Sequence, residues 1–324
     1  MPSGRLTDEQ FIAEWHRHGS AQAMAKALNR DVRSIMKRRG ALSAKGVLLQ
    51  TRAAPGYESR VPEVWRDDGW TFERVVPYNI DTGSILIFSD AHYWPGEASV
   101  AHKAAIAVTK QIKPRAIVAN GDIFDGVSVS RHDPFGWTSR PSVKEELEVC
   151  QERLLEFELA APRGCELFWN IGNHDIRYER SMATRAPEFS GLQMMRLADH
   201  FPNWSMRWST AVNWQSDHPV MIKHRNAGGV HAGYNNTLKG GVSIVTGHTH
   251  LLEAKPWGDY RGRRWGVQTG CLSPLGAPAA EYTENGPTSA CEGFAVLTFR
   301  DGVLKPPELC EVIDGNAWFR GEVV

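Results

Sequence analysis

The chain has no apolar run approaching the roughly 20 residues that cross a bilayer. Met1 to Gln10 also lacks the apolar stretch of a secretory signal, so a soluble, intracellular protein is expected. Cysteine is sparse: Cys150, Cys165, Cys271, Cys291 and Cys310 are odd in number, widely scattered and never arranged as CxxC. That spacing argues against a disulfide framework and against a cysteine zinc site. Net charge is missing too, because 37 basic residues face 37 acidic ones. No broad field drives the molecule onto DNA or an anionic membrane, and any polyanion contact must be local. Internal repeats and low-complexity tracts are absent. What remains is 324 residues, 42% hydrophobic and 23% charged, enough to bury a sizeable core and long for one compact domain.

The charge is unevenly spread. Residues 1 to 60 hold 11 Lys/Arg and 5 Asp/Glu, net +6, which leaves 26 basic and 32 acidic residues, net −6, for the rest. Thr7 followed by Gln10 is a capping-box pattern, Phe11, Ile12 and Trp15 then share a helical face, and Gly19 supplies a stop. Ser20 can cap a second segment carrying Met24, Ala25 and Leu28, Asn29 suits a left-handed turn, and Val32, Ile35 and Met36 place a third stripe. Residues 1–42 therefore read as a small basic domain like a helix-turn-helix. Its third helix is expected to show Arg30, Arg33, Ser34, Lys37, Arg38 and Arg39 to solvent. Arg30, Arg33, Lys37 and Arg38 are the candidate DNA contacts, suited to phosphate oxygens and base edges. A solvated bundle, or a module for protein contacts, is the competing reading. Residues 43–83 show no sustained period and read as a linker, with Trp65, Trp70 and Phe72 able to dock it. Residues 84–324 form the larger domain.

In that domain short apolar runs alternate with helical patterns, the signature of strands joined by helical crossovers. Strands are expected at 85–89, 116–119, 166–171, 220–223 and 242–246, and Ser142 with Glu145 caps a helix running towards Ala160. The last 70 residues look mostly extended, with Asp301-Gly302 as a hairpin turn. Polar sets follow the strands: Asp90-Ala-His92, Gly121-Asp122-Ile-Phe-Asp125, Gly172-Asn173-His174-Asp175, His224, and Gly247-His248-Thr-His250. Each alone could be a turn or a cap. Loops outside the carboxyl ends of neighbouring strands converge on one crevice, however, so the sets together predict one metal site.

These elements, in this order, resemble the calcineurin-like metallophosphoesterase superfamily, whose pattern is DxH, GDxxD, GNH(D/E), a later His and GHxH. The resemblance covers about residues 84 to 275, including Val267 to Leu272 as a closing strand. The Ser130-Arg131 loop and the Gly172-to-Arg177 variant are most similar to phage and prophage phosphoesterases, often likened to DNA-repair exonucleases. The family implies an α/β fold, a four-layer α/β/β/α sandwich, here with the small N-terminal helical domain. It implies that Asp90, His92 and His250 hold one ion, that Asn173, His224 and His248 hold a second, and that Asp122 bridges them. It implies two divalent ions, with Mn2+ preferred for these oxygen and imidazole donors and Fe, Zn or Mg as alternatives. Such a pair lowers the pKa of a shared water and clamps the attacking and leaving oxygens of a phosphate ester. His174 is the implied proton donor to the leaving group, with Asp125 orienting it, although a helix cap is the alternative for Asp125. His231, seven residues beyond His224, competes for the fourth element, and Arg225 stands where the family has glycine.

Arg131, His132 and Arg177 are candidate phosphate contacts, because guanidinium grips two oxygens at once. Phe135 and Trp137 in the same insertion could stack on a base. The leading expectation is a metal-dependent phosphodiesterase acting on DNA in the cytoplasm of a bacterium or phage-infected host. The alternatives are a phosphomonoesterase for phosphoprotein or a small metabolite, with the head as a partner-binding module, and a DNA-binding regulator with a vestigial phosphoesterase domain. The sequence leaves oligomeric state open and suggests no membrane partner.

Overall fold

A computed structural model describes residues 6–18, 21–45, 47, 49, 72–131, 139–260, 262–276 and 288–324. The chain divides into two units, Met1–Arg66 and Asp67–Val324. His132, Phe135, Trp137, Trp65, Trp70, Gly19 and Ser20 lie outside the described residues.

In the first unit, helices α1 (Asp8–His18), α2 (Ala21–Leu28) and α3 (Val32–Ala44) enclose Phe11, Trp15, Met24, Ala25, Ile35 and Leu42. The Thr7 and Gln10 cap forms reciprocally, at 2.9 and 3.2 Å, and Asn29 takes φ +47° between α2 and α3. The basic face of α3 is narrower than its sequence suggests. Ile35, Arg39 and Leu42 are spaced i, i+4, i+7, which puts Arg39 on the core stripe. Arg39 is accordingly 5% exposed, with its guanidinium 4.8 Å from the Trp15 ring centre. Arg38 lies over Phe11 and pairs with Asp8 at 3.0 Å. Both arginine stems complete a thin apolar stripe. Arg33 and Lys37 stay exposed and Arg30 is half-buried.

The second unit contains β1 (Val76–Tyr78), β2 (Gly83–Phe88), α4 (Val100–Ile112), β3 (Ala116–Ala119), α5 (Val143–Ala160), β4 (Glu166–Asn170), α6 (Ile176–Arg185), β5 (Ser205–Arg207), β6 (Ser209–Val212), β7 (Val220–Lys223), α7 (Ala232–Gly240) and β8 (Ser243–Thr246). It continues with β9 (Leu252–Asp259), β10 (Gly262–Thr269), β11 (Gly293–Arg300), β12 (Val303–Leu304), β13 (Glu308–Ile313), β14 (Asn316–Phe319) and β15 (Glu322–Val323). One mixed sheet has the order β15-β14-β13-β11-β2-β3-β4-β5, with β12 paired to β11, and the other runs β1-β6-β7-β8-β10-β9. The five expected strands correspond to β2, β3, β4, β7 and β8. Asp301 and Gly302 both have positive φ in the turn between β11 and β12, as a tight hairpin requires.

The period-two alternation of each strand decides the layering. Ile85 and Ile87 of β2 pack between the sheets with Val118, Phe168, Val220, Ile222, Val245, Val267 and Leu297. Leu86 and Phe88 point the other way, into Ala104 and Val108 of α4 and Leu154 and Phe157 of α5. Helix α7 packs on β8, β9 and β10, so the layers run helix, sheet, sheet, helix, the α/β/β/α order. Within each sheet β2, β3 and β4 are mutually parallel, as are β7, β8 and β10. Their carboxyl ends therefore deliver the polar loops to common edges. Among the described residues no helix is long and apolar enough to cross a membrane.

Candidate metal centre

Main-chain bonds tie the loop after β2 to the loop after β3 and the loop after β7 to the loop after β8. Asp90 N donates to Gly121 O (2.9 Å), His92 N to Asp122 O (3.0 Å) and Gly247 N to His224 O (2.9 Å). The result brings carboxylates and imidazoles from positions 90 to 250 within reach of one another. Three groups have ligand atoms mutually within 4.8 Å: Asp90, His92 and His250; His92, Asp122 and His174; and Asp122, His224 and His248. His250 Nε2 is 3.2 Å from Asp90 Oδ1, and His224 Nε2 is 3.1 Å from Asp122 Oδ2. His224, which is 1% exposed, is the histidine beside Asp122. His231 is exposed at the start of α7.

The motif glycines have a steric reason. A Cβ on Gly121 would strike the His224 ring, one on Gly172 would strike the Asp122 carboxylate, and one on Gly247 would strike Ser89 and Asp90. Each glycine thus makes room for a side chain supplied by a different loop. The backbone is strained at the same place: Asp90, His92, Asp122, His248 and His250 are five of the twelve non-glycine residues with positive φ among the described residues. Such conformations cost free energy and gather where a site over-determines them.

Among the described residues, two of the buried polar atoms without a hydrogen-bond partner belong to this centre, Asn173 Oδ1 and His224 Nε2. An unmet buried acceptor is costly unless something coordinates it. His224 Nδ1 is held by Asn120 O at 2.8 Å. That bond places the proton on Nδ1 in the neutral ring and leaves Nε2 as a donor atom for a cation. The orphaned atoms, the buried carboxylates and the absence of thiolate fit divalent ions of the Mn, Fe or Zn type.

The electrostatics follow from the crowding. Burial alone would raise Asp122, but His224, then His174 and His92, pull its carboxyl well below the usual range. Asp90 is likewise lowered, with His224 and His250 overcoming burial. Burial opposes a charge on His224, yet Asp122 and Asp90 push it up to about 9. Burial holds His248 below its ordinary value, with His224 and Arg225 adding to the effect.

Asp125 Oδ1 bonds two rings, His174 Nδ1 at 2.6 Å and His92 Nδ1 at 3.0 Å. Arg177 Nη1 donates to Asp125 O at 2.9 Å, and its Nη2 lies 3.1 Å from His174 Nε2. With guanidinium able only to donate, His174 is the Nδ1-H tautomer in this state. Arg131 is exposed at the end of the segment that follows Gly126.

Sequence reasoning missed Asp175. Its buried carboxylate accepts from the main-chain N–H of Asp122 (2.9 Å), Ile123 (3.0 Å), Phe124 (3.0 Å) and Gly172 (2.7 Å) and from Trp169 Nε1 (3.1 Å). It locks the loop after β3 to the loop after β4, and its place at the end of the Gly172–Asp175 motif was the available signal. Ser89 was missed as well: its hydroxyl donates to Asp90 Oδ2 and pairs with Thr269 at 2.6 Å.

Residues 83–270 match the calcineurin-like phosphoesterase family. The gene 54 proteins of Mycobacterium phages L5 and D29 are 28% and 27% identical over 262 residues, covering 74% of this chain and 97% of each relative. Among solved structures, Yfce, a phosphoesterase from E. coli, superposes with a TM-score of 0.37 at 17% identity, over 74% of this chain and 96% of that one. Wild-type Vps29 from Entamoeba histolytica, complexed with zinc, gives a TM-score of 0.39 at 15% identity, over 74% and 98%.

Proposed function

The chain belongs to the calcineurin-like phosphoesterases, metal-dependent enzymes, and from that premise we propose that it is a phosphodiesterase acting on DNA in a bacterial cell carrying phage or prophage. The observation that carries the chemistry is the pair of buried atoms without a hydrogen-bond partner, Asn173 Oδ1 and His224 Nε2, the second of them 3.1 Å from Asp122 Oδ2. In this reading Asp90, His92 and His250 would hold one ion, Asn173, His224 and His248 the other, and Asp122 would serve both. Divalent ions held by these residues would supply Lewis-acid polarisation of a phosphate ester and a more acidic attacking water.

The protein side chains do the rest. Asp125 holds His174 through Nδ1 and aims Nε2 at the leaving oxygen. Arg177, which occupies His174 Nε2 in the free protein, moves onto the phosphate oxygens when substrate enters and so frees that nitrogen to take up a proton from solvent and deliver it to the leaving alkoxide. Arg131 grips the same phosphate or its neighbour. DNA is favoured as the substrate by the exposed Arg33 and Lys37 of the basic head and by the phage origin of the relatives.

The test is a panel. Purified protein with Mn2+ is incubated with single-stranded DNA, duplex DNA, bis(p-nitrophenyl) phosphate and p-nitrophenyl phosphate. Cleavage of DNA and of the small diester is expected. Turnover of the monoester alone would turn the protein into a phosphomonoesterase, and turnover of none with DNA still bound would make it a regulator.

A further inference from the structure

Helix α5 buries a carboxylate that the chemistry above does not use. Glu146 is 0% exposed, and among the described residues no cation lies within ion-pair distance of it. Its partners are the residues that follow the Asp122–Asp125 loop: Oε1 accepts from Val127 N at 3.1 Å and Oε2 from Ser128 Oγ at 3.1 Å. The other end of the same turn is held by Arg140, whose Nη1 donates to Val127 O at 3.3 Å. Gly126, just upstream, has φ +65°, and a Cβ there would press on the Arg177 side chain at 3.1 Å. Position along this segment is thus shared with Arg177 and, through Arg177, with Asp125 and His174.

A carboxylate without a counter-ion in a core is destabilising, and an apolar residue of similar volume would avoid that cost. At this point of α5 the neighbours Leu147, Val149, Cys150 and Leu154 are already apolar and buried. A helix surface that packs without help from a polar group does not need Glu146, whereas the segment it holds has exposed Arg131 at its far end.

We propose that Glu146 is a positioning residue for substrate binding: it latches the Gly126–Arg131 segment to α5 and so sets where Arg131 and Arg177 meet the phosphate. This rests on the phosphoesterase reading of those two arginines. Among the described residues, the charged and titratable groups around the carboxylate are Asp125 from the loop, Arg140 beyond the turn and Cys150 one turn on in α5. Burial, with the Asp125 charge adding to it, pushes Glu146 up to about 7 against the opposing bonds from Val127 and Ser128. Ionised, it accepts both bonds. Protonated, it keeps only neutral bonds, accepting from Val127 N and donating to Ser128 Oγ, so the latch loses its charge-assisted strength and grip on substrate tightens as pH rises through neutrality.

The experiment compares wild-type protein with Glu146→Gln, loaded with Mn2+, on bis(p-nitrophenyl) phosphate. At about pH 8 the variant should show a KM raised about fivefold with kcat and metal content little changed, the signature of lost uniform binding. At about pH 6 the two KM values should converge, because the wild-type carboxyl is then neutral as well. Equal KM at both pH values, or a loss carried by kcat alone, overturns the proposal. Hydrogen exchange of the Val127–Arg131 amides without substrate reads the latch independently of turnover, and should quicken about tenfold in the variant. Unchanged exchange also overturns it. If wild-type protein hydrolyses no diester, the proposed function falls while exchange still decides on the latch. Should Glu146→Gln fail to fold, Ser128→Ala removes half of the same latch and is read in the same way.

Discussion

Asp122 concentrates the interactions of the centre in one side chain. Its Oδ1 accepts from His174 N at 2.8 Å, its Oδ2 faces His224 Nε2 at 3.1 Å, and its backbone sits at φ +54°. His174 is joined to the centre mainly through Asp125. The two should therefore separate on mutation. His174→Ala is expected to keep its metal, measured by elemental analysis, and to lose about 10²–10⁴-fold in turnover, whereas Asp122→Ala should lose metal and turnover together. Metal retained in the Asp122 variant would contradict the bridging position. Gly172→Ala makes a subtler test of the same geometry. The added methyl would press on the Asp122 carboxylate, so a destabilisation of about 1–3 kcal/mol is expected from overpacking. Metal affinity by titration calorimetry should fall at the same time. Sequence motifs announced these residues because chemistry limits which types can serve. The reason for the glycines was not legible, since the atoms they make room for belong to other loops.

Helices and strands act here as supports that bring loops together. The α5 cap is one: Ser142 Oγ accepts from Glu145 N at 3.3 Å and Glu145 Oε2 from Ser142 N at 2.7 Å. Ser142→Ala should cost about 1 kcal/mol, the usual worth of such a cap, seen as a lowered Tm with metal content intact. An unchanged Tm would mean that α5 is held by packing of Leu147, Leu154 and Phe157 alone. Caps, strand alternation and the Asp301-Gly302 turn were all readable, because they depend on residues close together in the chain. The face of α3 was misread in part. Arg38 and Arg39 look like free cations in sequence, yet they cover Phe11 and Trp15, because too few apolar residues line that helix to close its core.

At the scale of the whole molecule, the proposed action on DNA assigns separable contributions to the basic head and the phosphoesterase domain. Replacing Arg33 and Lys37 together by alanine should weaken DNA affinity and reduce the slope of log affinity against log salt by about 2. Hydrolysis of bis(p-nitrophenyl) phosphate should stay as it was. An unaltered salt slope would remove the head from the binding surface. Residue types and their order were enough to point to one metal site, because five polar sets, each behind a strand, converge in an α/β sheet, and the family resemblance of those sets supplied the phosphoesterase chemistry. Tertiary structure alone decided that His224 and not His231 stands beside Asp122, that Asp175 and Glu146 are buried acids holding loops, and that Arg177 lies on His174. These contacts of His224, Asp175 and Glu146 join positions 102, 53 and 19 residues apart, which packing sets and no local pattern encodes.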